Sequence, residues 1–381
     1  MISAGIADRG VPAGRTEEFA ANLELLRRFM GSAGLDCMVL SDHANVAWLA
    51  GGGRSFVGWA TDQGAARVVV TPSQVALVTT NIEARRMAAE EFPNLPWQVI
   101  EHPWWESPAP VLARLIPRGG RVGVDGPIPW VEGTVGVGAE IARLRTLLTP
   151  QAQDRVRALG KAVGEVMAGV CRELQQGETE LQIAGRMAGG LVARGIEVPV
   201  CLVAADERAF RWRHFLPTAR PLRFYAMLAV CGRKDGLVVS CTRLVHFGPP
   251  PPEIVRGWEA VSRIDAGVMA ATRPGATADE LFDLLRESYA ATGYPDEWRN
   301  HHQGGLAGYK PREWLAAPDG TERVGVGQIY AWNPSVPGAK SEDTLLVGPE
   351  GNEILTDAGD FPYREFPTAW GSVRRPEILV R

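Results

Sequence analysis

Residues Ala229 to Gly248, AVCGRKDGLVVSCTRLVHFG, place two apolar runs on either side of a polar turn. Closing Lys234-Asp235-Gly236 as a three-residue loop sets Val230 directly opposite Ser240, with both side chains on one face of an antiparallel pair. A slip of one residue puts Ala229 or Cys231 at the first position instead. None of the three is a carboxylate. The hairpin sits inside a strand-rich block from 197 to 247.

Upstream of it the pattern is helical. Two helices are expected, over 151–175 and 179–194, with Thr149 as N-cap and Pro150 at the first helical position of the former. The segment Leu148-Thr149-Pro150 marks a boundary between a domain over 1–148 and a second over 149–381. In the first domain, Phe19, Leu23, Leu25, Leu26 and Phe29 predict an amphipathic helix over 16–34 that stops at Gly34. Short apolar runs at 37–40, 67–70, 75–78 and 121–124 read as strands, and Ile82 to Phe92 reads as a helix. Strand and helix alternate, so this part is an α/β domain. Downstream of the hairpin, four prolines at 249–252 precede a helix over 253–271. A second helix over 277–291 is capped by Thr277, and strands follow over 327–356. The sequence shows no internal repeat.

The chain has 381 residues, 45% apolar and 22% charged, with a net charge of −4. That is enough length for two cores. Mixed charges without a basic stripe give no reason to expect a nucleic acid or a membrane surface as partner. The five cysteines (Cys37, Cys171, Cys201, Cys231, Cys241) form no Cys-x-x-Cys pair. Odd, scattered cysteines point to a reducing compartment. Met1 to Gly14 lacks a signal pattern, and no apolar run nears the roughly 20 residues that span a bilayer. A cytoplasmic protein is expected.

Four strings in one order resemble the pita-bread superfamily of creatinase, aminopeptidase P and prolidase. They are HFLPTARPL (His214 to Leu222), GLVVSCTRLVHFG (Gly236 to Gly248), RPGATADELFDLLRESYAATGY (Arg273 to Tyr294) and AWNPSVPGAKSEDTLLV (Ala331 to Val347). The first 150 residues are similar to the creatinase-type N-terminal domain. The resemblance implies an α/β (α+β) chain, with that N-terminal domain preceding a pita-bread catalytic domain.

Metal-dependent members of the superfamily hold two divalent ions with two Asp, one His and two Glu. The resemblance carries those positions onto Val230, Ser240, Gly305, Asn333 and Glu342, of which only Glu342 keeps a ligand type. Isopropyl, hydroxyl and amide groups do not neutralise a pair of divalent ions. No metal and no cofactor is therefore expected. Among superfamily members, the mechanism is most similar to creatinase, which hydrolyses a C–N bond without a metal. The matching histidine is His214, with Glu342 as one matching carboxylate. Its other carboxylate falls on the Thr-Arg strand, where only Ser240 and Thr242 are offered.

His214, Glu342 and His302 are the candidate catalytic residues, since an imidazole titrates near neutrality and a carboxylate supports it. NHHQGGLAGYKPREW (Asn300 to Trp314) adds His301, Tyr309 and Arg312 on a glycine-rich loop that lets a ligand approach closely. A single-ion site built from His301, His302 and Glu342 is an alternative, weakened because neighbouring residues in an extended loop point apart. Arg213 beside His214 is a candidate grip for a substrate carboxylate, whereas Arg243 reads as structural. Trp332, Asn333 and Ser240 are candidate pocket residues. By resemblance, the loop Gly51 to Gly64 of a partner subunit in a homodimer covers the site and brings Arg54, Phe56 and Trp59. The expected function is metal-independent hydrolysis of a C–N bond in a small polar or amino-acid-derived substrate. The alternatives are a repurposed lyase, isomerase or cyclase of specialised metabolism, and a catalytically silent binding protein.

Overall fold

A computed structural model describes residues 14–381. The reading of the N-terminal stretch from Met1 falls on residues outside that range, Gly14 excepted. The chain forms two compact units that part between Arg145 and Thr146.

The first unit opens with α1 (Arg15–Ala33), which buries Phe19, Leu23, Leu26 and Met30 along one face. It ends where Gly34 turns left-handed (φ 63°) and its amide reaches back to the helix. Next come β1 (Cys37–Asp42), α2 (His43–Leu49), β2 (Gln63–Val70), β3 (Val75–Thr80) and α3 (Ala84–Arg86). Then follow β4 (Gln98–His102), α4 (Ala109–Leu115), β5 (Val122–Val124), β6 (Thr134–Gly136) and α5 (Gly138–Arg145). The strands form one mixed sheet in the order β4-β3-β2-β1-β5-β6. The apolar run in β1 makes it a central strand, flanked by antiparallel β2 and parallel β5. The helix expected over 82–92 is cut short. After α3 the backbone widens into a π-turn over Met87–Glu91, which places Glu91 inside to accept from Arg54 at 2.8 Å and Arg86 at 3.1 Å.

The second unit begins with α6 (Pro150–Glu173), where the Thr149 side chain accepts from the Ala152 amide. In α7 (Glu180–Val192) Thr179 and Gln182 form a capping box. Strand β7 (Glu197–Ala205) and the short α8 (Arg208–Arg211) lead to β8 (Tyr225–Lys234) and β9 (Leu237–His246). Helices α9 (Pro252–Ala271) and α10 (Ala278–Ala291) follow, the latter with its own Thr277–Glu280 capping box. Strands β10 (Gly304–Ala307), β11 (Ile329–Trp332), β12 (Ser335–Val336), β13 (Ala339–Lys340), β14 (Asp343–Val347) and β15 (Asn352–Ile354) come next. The chain closes with β16 (Tyr363–Thr368), β17 (Gly371–Pro376) and β18 (Leu379–Val380).

Two four-stranded sheets, β18-β9-β8-β7 and β10-β11-β14-β15, make the frame of this unit. They meet where the Thr242 amide donates to the Glu342 carbonyl at 2.9 Å and the Ser240 amide donates to Thr344 Oγ1 at 2.8 Å. Behind that seam lies a buried ionic lattice. Arg375 reaches Asp265 and Asp343, each at 2.7 Å, and Arg243 reaches the other oxygen of Asp343 at 2.8 Å. Each charge there has a hydrogen-bonded partner, the condition under which buried ions are tolerated. The lattice ties α9, β9, β14 and β17 together and fixes the segment just before β14 that carries Glu342.

The β8–β9 hairpin corrects the expected register. Its loop has two residues, Asp235 (φ 52°) and Gly236 (φ 82°), so Lys234 pairs with Leu237 and Cys231 lies opposite Ser240. Both loop residues take positive φ, the type I′ geometry whose twist matches that of the strands. Val230 faces Cys241 instead.

Candidate active site

Strands β7 and β8, with segments that flank β10, β11 and β14, enclose one small cavity of about 120 Å³ in the second unit. Its apolar wall comes from Val200, Leu202, Ala229, Val230 and Cys231 on β7 and β8. Its polar wall comes from His214, His302, Arg312, Asn333, Lys340 and Glu342.

Glu342 is the electrostatic centre. It is 4% exposed and accepts from Lys340 Nζ at 2.7 Å, Thr242 Oγ1 at 2.8 Å and Arg312 Nη2 at 3.2 Å. Burial works against its charge, but Lys340 and Arg312 overcome that and, with hydrogen bonds from Lys340 and Thr242, hold the carboxyl at about 2. A carboxylate fixed as an anion does not carry protons at neutral pH. Glu342, expected as the acid–base partner of His214, is thus closed on two cations, Lys340 and Arg312, and held in its charged form.

The three imidazoles come together on the other side. His301 Nε2 lies 3.3 Å from His214 Nε2, and His301 Nδ1 lies 3.0 Å from Ser335 Oγ. The His301 and His302 ring centroids are 4.5 Å apart, so these neighbours lean together rather than diverging as an extended loop suggested. Burial, followed by the Lys340 charge and the other two rings, pushes His301 down to about 2. Burial and Arg312 lower His302 to about 4, with Glu342 opposing. His214, exposed at the mouth, is lowered by partial burial and then by Lys340. All three are free bases at neutral pH. Three buried polar atoms around the cavity have no hydrogen-bond partner among the described residues: His302 Nδ1, Asn333 Oδ1 and Arg312 Nε. They point to a polar ligand.

Other expected site residues lie elsewhere. Trp332 is fully buried in the core, stacked 5.8 Å from Tyr330 with its indole donating to Thr272, and does not line the cavity. Even alternation along β11 turns it away from Asn333. Ser240 is used up within the hairpin, its Oγ 3.1 Å from Cys231 Sγ. Tyr309 is buried on the loop after β10, with its amide donating to Glu313. Arg213 forms an ion pair with Glu297. Arg54, Phe56 and Trp59, expected to come from a partner subunit's loop, are held in this chain's first unit, where Arg54 binds Glu91, Phe56 packs edge-on to His43 and Trp59 is exposed. Lys340 also lines the cavity. It stands two residues before Glu342, the spacing that puts extended residues on one face.

These residues do not fit a paired-ion centre. The positions that would supply two Asp, a His and a Glu hold Val230 or Cys231, Ser240, Gly305 and Asn333. A Cβ added at Gly305 would lie 2.4 Å from the Trp314 carbonyl oxygen, so a histidine has no room there. The one matching carboxylate, Glu342, is already neutralised by Lys340 and Arg312.

Residues 154–349 match the metallopeptidase family M24, and residues 22–132 match the creatinase/prolidase N-terminal domain. The chain belongs to family M24, within the pita-bread superfamily of creatinase, aminopeptidase P and prolidase. It is 27% identical over 221 residues to "Probable dipeptidase PepE" of Mycobacterium tuberculosis, an alignment covering 55% of this chain and 58% of that one. The chain spans less than two thirds of the length of the first curated relatives it matches. Its fold is similar to that of the Xaa-Pro dipeptidase from Bacillus anthracis (TM-score 0.76, 15% identity, covering 95% and 100% of the two chains). It is also similar to the N-terminal domain of FACT complex subunit SPT16 from chickpea, Cicer arietinum (TM-score 0.68, 12% identity, 91% and 96%). No helix among the described residues is long and apolar enough to cross a membrane.

Proposed function

We propose that the protein is a hydrolase that cleaves a C–N bond of a small, amino-acid-derived substrate without the paired divalent ions of its family. The relatives named as dipeptidases support hydrolysis at a C–N bond. The observation that carries the reading is that Glu342, the one family ligand position that keeps a carboxylate, is closed by Lys340 and Arg312, beside three imidazoles whose pKa values are all lowered. His214 sits at the cavity mouth as a free base. It takes a proton from the attacking water as the oxygen bonds to the electrophilic carbon, then returns that proton to the departing nitrogen as the C–N bond breaks. His301, anchored on Ser335, orients the His214 ring. Arg312 Nε, Asn333 and His302 Nδ1 hold the polar end of the substrate. A cavity of this size suits a compact ligand, in a cytoplasmic homodimer whose partner substrate is a small molecule rather than nucleic acid or membrane.

The test is turnover and ligand-induced thermal shift across guanidino, amino-acid and imidodipeptide compounds, before and after exhaustive chelation. Turnover that survives chelation and falls about 10²–10⁴-fold in His214→Ala supports the proposal. Two ions bound per chain with manganese-dependent Xaa-Pro cleavage refutes it. Stabilisation by protein partners with no turnover favours the catalytically silent reading instead.

A further inference from the structure

His214, His301 and His302 each offer one ring nitrogen, and the three atoms lie within 4.8 Å of one another. We propose that this triad is a binding site for one late transition-metal ion of the zinc or copper class, built from residues other than those at the family's five ligand positions. A bound ion there takes the lone pair that His214 needs as a base, so the ion opposes the hydrolytic step rather than driving it.

The geometry starts from two nitrogens. His214 Nε2 and His301 Nε2 face each other at 3.3 Å. Two ligands bound at about 2.0–2.1 Å around a tetrahedral zinc stand about 3.3 Å apart, so this edge of the polyhedron is already set. The third nitrogen, on His302, lies within 4.8 Å of the other two and has to close to that same edge. His302 Nδ1 is buried without a partner among the described residues. On the far side of His301, Ser335 Oγ sits 3.0 Å from Nδ1. A hydroxyl accepting from Nδ1–H fixes the tautomer with its lone pair on Nε2, the outer contact that metal-binding histidines ordinarily keep. The exposed side of His214 leaves a fourth position for water.

The donor set selects the ion. Three imidazoles with no carboxylate among them suit zinc, copper or nickel and suit magnesium, calcium or manganese poorly. Lys340 and Arg312 face the same space, with Glu342 cancelling one of their two charges. The remaining positive charge opposes any cation, so the three imidazoles must outweigh it for the first ion, and a second is disfavoured further.

The full chain is titrated with cobalt(II), whose ligand-field bands in the visible report tetrahedral nitrogen coordination, and with zinc(II) by calorimetry in a non-chelating buffer. One ion per chain is expected, with affinity lost at least about 100-fold in His301→Asn and His302→Asn. Ser335→Ala, which removes no ligand, is expected to lower it about tenfold. Near-ultraviolet dichroism of each variant shows that the fold is kept. No binding at millimolar cobalt, or binding unchanged in both histidine variants, overturns the site. This inference goes beyond the proposed hydrolysis and fails separately from it. Chelation-resistant turnover without ion binding sinks only the triad site, whereas two ions lost together in Glu342→Gln sink both.

Discussion

Glu342→Gln removes the charge around which the cavity is organised. In the folded protein its carboxyl is held at about 2 against an ordinary 4.5. At about 1.4 kcal/mol for each tenfold change, the charged network contributes about 3 kcal/mol at neutral pH. The variant also strands the Lys340 ammonium, 2.7 Å away and 7% exposed, and breaking such a buried pair costs about 3–5 kcal/mol. Both routes give the same magnitude. Because the folded value lies below the unfolded one, this stabilisation is complete above pH 4.5 and fades as pH falls toward 2. By pH 3.5 roughly 1.4 kcal/mol of it should be gone, so the gap between wild type and variant narrows to about 2 kcal/mol. Urea denaturation followed by tryptophan fluorescence measures both points, with each transition fitted separately because a two-unit chain does not unfold in one step. A variant within 1 kcal/mol of wild type at pH 7, or a gap that stays constant down to pH 3.5, refutes the assignment of Glu342 as a locked anion, with ~1 kcal/mol as the resolution of the method.

Further outcomes follow from the same residues. With His214 held below its usual 6.5, the acid limb of kcat/KM should fall below that pH, and Lys340→Met should move the limb upward by removing a repelling charge. A limb unmoved in that variant argues against His214 as the base. Gly304→Ala should destabilise strongly and disorder the β10–β11 pairing, because the added carbon lies 2.2 Å from the Ala331 carbonyl oxygen at φ 93°; hydrogen exchange across Gly304–Ala307 reads this directly. Arg375→Met leaves Asp265 and Asp343 each short of a partner and should cost about 3–5 kcal/mol by denaturation. Installing aspartates at Cys231 and Ser240 should not create a two-ion site, since Gly305 has no room for the histidine. Two ions per chain by elemental analysis would contradict that.

The sequence alone determined the long helices and the apolar strands in their order, though not the π-turn over Met87–Glu91 or short elements such as α2 and α4. The caps at Thr149, Thr179 and Thr277 and the left-handed stop at Gly34 are short-range hydrogen-bond and backbone effects, so they are readable from a few adjacent residues. The hairpin register was also legible, because Asp235-Gly236 is the two-residue turn signal, and counting Lys234 into the loop shifted the face by one. The identity of His214, His302, Arg312, Asn333 and Glu342 as cavity residues came from motif order. Which groups each of them meets was decided only in three dimensions. Lys340, Arg312 and Thr242 reach Glu342 from three different segments, and whether a carboxyl shuttles protons or stays an anion depends on which charges meet it. Trp332 faces the core and His301 meets His214 across 87 residues for the same reason. Such contacts are set by how two sheets pack, and electrostatic coupling follows distance through space rather than separation along the chain.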